Sequence, residues 1–205
     1  MKYYSKEAIK ALDKIFRLNL VNSCTGYKSA NLIATRSKDG SSNVAIFNSV
    51  VHLGSDPAIL GFILRPVTVP RHTWENIQET KAFTVNHIHT DMIEDAHHTS
   101  ASYPKDISEF DVTGLTEIYK SDFPAPFVSE ARIQIACHYL NHYDIVENGC
   151  LLVLGTVEHI YMKEGIQEED GFLNLSKAQT VTINGLDGYA LPALLDRFEY
   201  ARPAE

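Results

Sequence analysis

Cysteine is scarce in this chain. Cys24, Cys137 and Cys150 are the only three. They form no Cys-x-x-Cys pair and leave an odd count, so neither a disulfide framework nor a thiolate metal site can be read from them. A reducing compartment, the cytoplasm, is the expected setting. Long apolar runs are also missing: none approaches the ~20 residues of a membrane-spanning helix. The polar, periodic N-terminus lacks the apolar core of a secretion signal. No cluster of Lys and Arg is long enough to follow a phosphate backbone, and the formal net charge is −8. Nucleic acid and anionic membrane are therefore not expected partners. There is no Gly-x-Gly-x-x-Gly turn, no Walker loop and no Gly-x-Ser-x-Gly elbow. Any nucleotide this chain holds must be held by another architecture. Internal repeats and low-complexity segments are absent too.

What remains is an ordinary globular composition. The 205 residues are 44% apolar and 21% charged, enough for one domain with a sizeable core. One domain over 1–205 is expected, with a helical segment at 1–20 and a tail at 190–205.

The stretch around which the chain is organised runs from Asn43 to Arg65. Two apolar, β-prone runs, Asn43–Leu53 and Ala58–Arg65, flank Gly54-Ser55-Asp56-Pro57, which predicts paired strands. Asn48 and Ser49 interrupt the first run, and Arg65 ends the second. Small hydrogen-bonding side chains on a strand and an Arg at a strand end can hold a flat polar ring and its phosphate. The same residues also suit a plain hairpin with two solvated polar positions.

Elsewhere, Ser5 as a cap and the stripe Ile9, Leu12, Ile15, Phe16 predict a helix over 5–16, packed on a sheet. Strands are expected at Ala30–Arg36, Ala82–Ile88, Leu115–Tyr119 and Val181–Ile183. Asp39-Gly40 is a hairpin turn. Thr73 is a candidate cap for a helix through Thr80, leaving Arg71 and His72 at its approach, an arrangement that suits phosphate. Asp91 and Glu94, at capping-box spacing, predict a helix to Ser100. Asn148-Gly149 between Ala131–Val146 and Cys150–Met162 is the strongest hairpin signal present, and Gly155 in its second arm marks a bulge or a close backbone approach. One helical turn is expected in Leu191–Phe198. Tight turns and short helices, without regular strand–helix alternation, predict an antiparallel closed or semi-closed β-barrel with peripheral helices.

Nine histidines raise the question of a metal. His87 and His89 could share a face and His97 and His98 are adjacent, but no third and fourth ligand stands at a recognisable spacing, so no metal is expected. No nucleophilic triad is legible either.

Taken in order, these features resemble the flavin reductase-like, FMN-binding split-barrel family. The matching features are the strand Ala30–Arg36, the Asp39-Gly40 turn, Asn43–Ser49, Ser55-Asp56-Pro57, the strand to Arg65, the helix from Thr73 and the strand Ala82–Ile88. Gly155-Thr156-Val157-Glu158 and Gly185 with Tyr189 continue the likeness. The resemblance implies a homodimer with FMN at its interface. Ala45, Ile46, Phe47, Asn48 and Ser49 would lie on the ring and ribityl chain, and Arg65, Arg71, His72 and Thr73 around the phosphate. It further implies hydride transfer from NAD(P)H to flavin and on to a small-molecule or protein acceptor, or electron carriage without turnover. A barrel that has lost the cofactor is a third reading. Hydride transfer to flavin needs no side-chain acid or base, so no catalytic residue is nominated. Asp91–Leu115 departs from the family pattern.

Overall fold

The computed structural model describes residues 1–203. Twelve strands and a few short helices follow one another along these residues. Seven strands make one antiparallel sheet: β2 (Asn31–Arg36), β3 (Ser42–Phe47), β4 (Val51–Ser55), β5 (Ala58–Leu64), β6 (Ala82–His87), β9 (Ile133–Ile145) and β10 (Cys150–Met162), in the order β3-β2-β6-β9-β10-β5-β4. β3 and β4 thus lie at opposite edges although only Asn48, Ser49 and Val50 join them. Laid flat, seven strands would separate those edges by about 29 Å, at ~4.8 Å per strand. The four steps from Phe47 to Val51 reach at most about 14 Å. The sheet must curl until its edges meet, which is the split barrel expected of the sequence.

Hydrogen bonds close the seam. The Ser49 hydroxyl accepts from the Ile63 N–H at 3.1 Å and donates to the Ile63 carbonyl at 3.2 Å. Ser29 Oγ donates to the Val50 carbonyl at 3.0 Å, and Asn48 Nδ2 to that of Gly185 at 3.1 Å. The run Asn43–Leu53 is therefore two strands and not one. Its Asn48-Ser49-Val50 break crosses the seam, and β3 pairs with β2 while β4 pairs with β5.

The barrel interior is apolar. Ile33, Phe62, Phe83, Val85, Cys137 and Val153 fill it, with Phe47 at its rim. Phe47, Phe62 and Phe83 meet edge to face with centroids 5.1 and 5.4 Å apart, the favoured geometry for aromatic pairs. Gly155 lies at a register shift of β10, and a Cβ there would sit 2.5 Å from Phe83 Cζ. Both a bulge and a close approach apply. α3 (His72–Thr80) lends Ile77 and Trp74 to this interior. On the outer face, Leu32 and Ala34 of the doubly buried β2 pack with Val44, Ile88, Ala96 and Phe110. Those last two belong to α4 (Ile93–His98) and α5 (Glu109–Val112).

Other predicted elements shift in identifiable ways. The 5–16 helix is two, α1 (Lys6–Ala11) and α2 (Lys14–Ser23), because Asp13 accepts from the Ile15 and Phe16 amides and starts a new helix. Neither buries a residue, so the expected packing on the sheet is not observed. Thr73 is not the cap of α3: Arg71 holds the cap position without a side-chain bond, and Thr73 Oγ1 accepts from Asn43 Nδ2 at 3.1 Å. His89, not Asp91, caps the short 3-10 turn Thr90–Met92 before α4. The short strands β1 (Lys28–Ser29), β7 (Glu117–Ile118), β8 (Phe127–Val128) and β11 (Thr182–Asn184) complete the set with β12 (Gly188–Ala190). β12 was not foreseen, and 191–198 form no helical turn. Among the described residues no helix is long and apolar enough to cross a membrane.

Candidate flavin site

β3 is an edge strand, so half of its backbone groups face away from β2. The Val44 N–H points outward and reaches Glu109 Oε2 at 3.1 Å. Groups two residues apart point the same way in an antiparallel ladder, so the Ile46 N–H and C=O share that open edge. Side chains alternate the other way. Val44 and Ile46 turn to the outer cluster, whereas Phe47 turns into the barrel. Of the five residues expected on a ring, Ile46 thus offers backbone groups on the open edge. Ala45 is half-buried. Asn48 keeps its Oδ1 after donating to Gly185, and Ser49 spends its hydroxyl on Ile63.

The phosphate candidates group at the start of α3. The amides of Trp74 and Glu75 turn back to the Arg71 carbonyl at 2.8 and 2.9 Å. Those of His72 and Thr73 have no capping side chain, and an uncapped helix start with free N–H groups favours an anion. Arg71 Nε donates to the Pro66 carbonyl at 3.2 Å, folding the loop so that Arg65 and Arg71 bracket it. Arg65 is exposed and has no hydrogen bond or ion pair with any described residue. The Asn43–Thr73 bond ties this helix start to β3.

Two contributors were not legible in the sequence. Glu109 is buried, and burial raises its carboxyl above the usual range. Its own amide, the Val44 amide and the nearby His72 pull the other way. Asn43 aligns α3 on β3. Both act across gaps of 65 and 30 residues, with no local pattern to announce them. The histidines scatter. Burial lowers His87 to about 4, His97 Nδ1 meets the Tyr189 hydroxyl at 3.0 Å, and His98 Nε2 meets that of Tyr103. Among the described residues no three His, Cys, Asp or Glu side chains gather as a metal centre would need.

Residues 27–183 match the family model described as the flavin reductase like domain. The chain belongs to that family.

Solved structures agree with the assignment. A Shewanella frigidimarina protein, assigned as a flavin reductase with a split barrel domain, is 44% identical with a TM-score of 0.95, over 98% of this chain and 100% of its own. At 20% identity and TM-score 0.83, nitrilotriacetate monooxygenase component B from Bacillus cereus shares the fold over 98% of both chains. A protein of Methanothermobacter thermautotrophicus is 30% identical over 71% of this chain and 69% of its own. The flavin reductase-like chain thus carries a cofactor fit in its own residues. The helix start and two arginines suit a phosphate, and the open backbone edge of β3 suits the hydrogen-bonding rim of a flavin ring.

Proposed function

We propose that this protein is an FMN-binding oxidoreductase that takes hydride from NAD(P)H and passes it to a small-molecule or protein acceptor. The observation that carries the reading is the unpaired Arg65 guanidinium beside an uncapped α3. A dianionic phosphate is the group that such an arrangement best satisfies, and FMN carries one where riboflavin does not.

Bound there, the flavin would supply a ring that accepts and releases hydride. The chain's own work is binding and orientation. Arg65, Arg71 and the His72 and Thr73 amides anchor the phosphate. Ile46 backbone groups and Asn48 Oδ1 align the ring along β3, and Phe47 packs the floor beneath that strand. None of these groups needs to exchange a proton with substrate.

Homodimerisation is part of the proposal. Residues opposed in an antiparallel sheet share a face, so Ile63, Leu152 and Tyr143 lie on one outer surface, with Leu53 over Gly61 beside them. Leu53 is 46% and Tyr143 57% exposed. An apolar stripe of this kind next to an open strand edge suits a second copy.

The test is a visible spectrum of the purified protein, followed by anaerobic addition of NADH or NADPH. Yellow protein that bleaches with either nucleotide is expected. Bound FMN that resists both would make the protein an electron carrier, and failure to bind FMN at micromolar concentration would end the reading.

A further inference from the structure

On the flank of the barrel, away from β3, lies an open cavity of about 470 Å³. Lys120 reaches into it. Its ammonium stands 4.9 Å above the Tyr161 ring and 5.7 Å above that of Phe127, and it donates to Gln134 Oε1. Gln134 is only 3% exposed, and its Nε2 donates to the Val128 carbonyl, so the amide is locked with its oxygen toward Lys120. No described carboxylate lies within ion-pair distance of Lys120. Desolvation lowers its pKa accordingly.

Arg132 and Glu130, which also line the cavity, have partners. Arg132 spends its donors on Asp91, Gln179 and the Ala178 carbonyl. Glu130 Oε2 accepts from the Thr116 amide. Lys163 is exposed at the mouth and, among the described residues, pairs with none. One partly desolvated cation therefore lacks a counter-charge, at the foot of an aromatic wall whose hydroxyl is tied to Ser121 at 2.7 Å.

We propose that this cavity binds a small organic carboxylate, its charge on Lys120 and its body against Tyr161. A bare phosphate would leave most of the volume and the aromatic wall unused, whereas one carboxylate matches one cation and fills the rest with carbon.

Benzoate is the probe, with benzamide as its uncharged isostere and inorganic phosphate as the anion without a body. In the purified protein, benzoate at ten times its Kd should raise Tm by about 3–6 °C. Benzamide should not, and phosphate, which the start of α3 also suits, should leave the Ser129, Ala131 and Met162 amides unmoved. Lys120→Gln should weaken benzoate at least about tenfold, and Arg65→Ala should leave the benzoate shift intact. Should Lys120→Gln fold poorly, amide chemical shifts of the wild-type protein decide: benzoate must move Ser129, Ala131 and Met162. Equal shifts with benzamide, a response to phosphate but not benzoate, loss of the effect in Arg65→Ala, or perturbed amides only around α3 would each overturn the proposal.

Discussion

Arg65 ends a strand with its guanidinium committed to nothing. Arg65→Ala should therefore leave the cofactor-free melting temperature unchanged, since no described partner is lost. FMN affinity should fall ten- to a hundredfold, the equivalent of about 1.5–3 kcal/mol for charge-assisted bonds. Riboflavin affinity should barely move, and Arg65→Lys should lie between, keeping the charge without the fork. Parallel titration of both flavins checks this, and equal losses for the two would remove Arg65 from the phosphate. His87 makes a different residue-scale case. Its Nδ1 is buried without a partner, and burial lowers its pKa to about 4 from 6.5. The unfolded chain then binds more protons between those values, so stability is full above about 6.5 and is lost as pH falls toward 4. The ring's contribution is about 1–3 kcal/mol, and His87→Phe should flatten denaturation midpoints measured across that window.

Elements show how far the sequence could be followed. The Asn148-Gly149 hairpin, β2 and the Asp39-Gly40 turn were legible because each depends on neighbours in the chain. The stripe Ile9, Leu12, Ile15, Phe16 reads straight through Asp13, because periodicity ignores a polar residue that can cap. The break at Asn48–Val50 was hidden for another reason: both arms are β-prone, and what separates them is the meeting of the barrel's edges. Thr73 is a capping residue by type, yet its hydroxyl faces Asn43 because α3 lies on β3. The residues read from sequence as a site stand along one strand edge, its seam crossing and one helix start, while the Ser49 hydroxyl is spent on Ile63 and Phe47 turns into the barrel. Gly155 tests the element scale directly. Gly155→Ala should cost about 1–3 kcal/mol, since Phe83 is held by Phe62 and cannot yield. A lower Tm is expected, and Phe83→Leu in the same chain should restore part of it.

For the whole molecule, the curled sheet leaves its two edges held by a three-residue link and a few side-chain bonds. A ligand lying along β3 and anchored at α3 would fasten that seam. FMN at a hundredfold its Kd should then stabilise the fold by about 2.7 kcal/mol, seen as a concentration-dependent rise in Tm. If the partner subunit completes the site, light scattering should show a dimer, with removal of flavin shifting the distribution toward monomer. A monomer that holds FMN tightly would contradict that assembly.

The chain has one tryptophan, Trp74. It stands in the first turn of α3, its ring 6.0 Å from Tyr139 and 5.0 Å from His142. This places the molecule's dominant intrinsic fluorophore one residue from the proposed phosphate anchor. Its emission is consequently an optical gauge wired to that anchor, readable without a label. Flavin seated at α3 should quench it in step with occupancy, and Arg65→Ala should displace the quenching curve by the same factor as the binding curve. Emission that stays constant while FMN binds would place the cofactor elsewhere on the barrel.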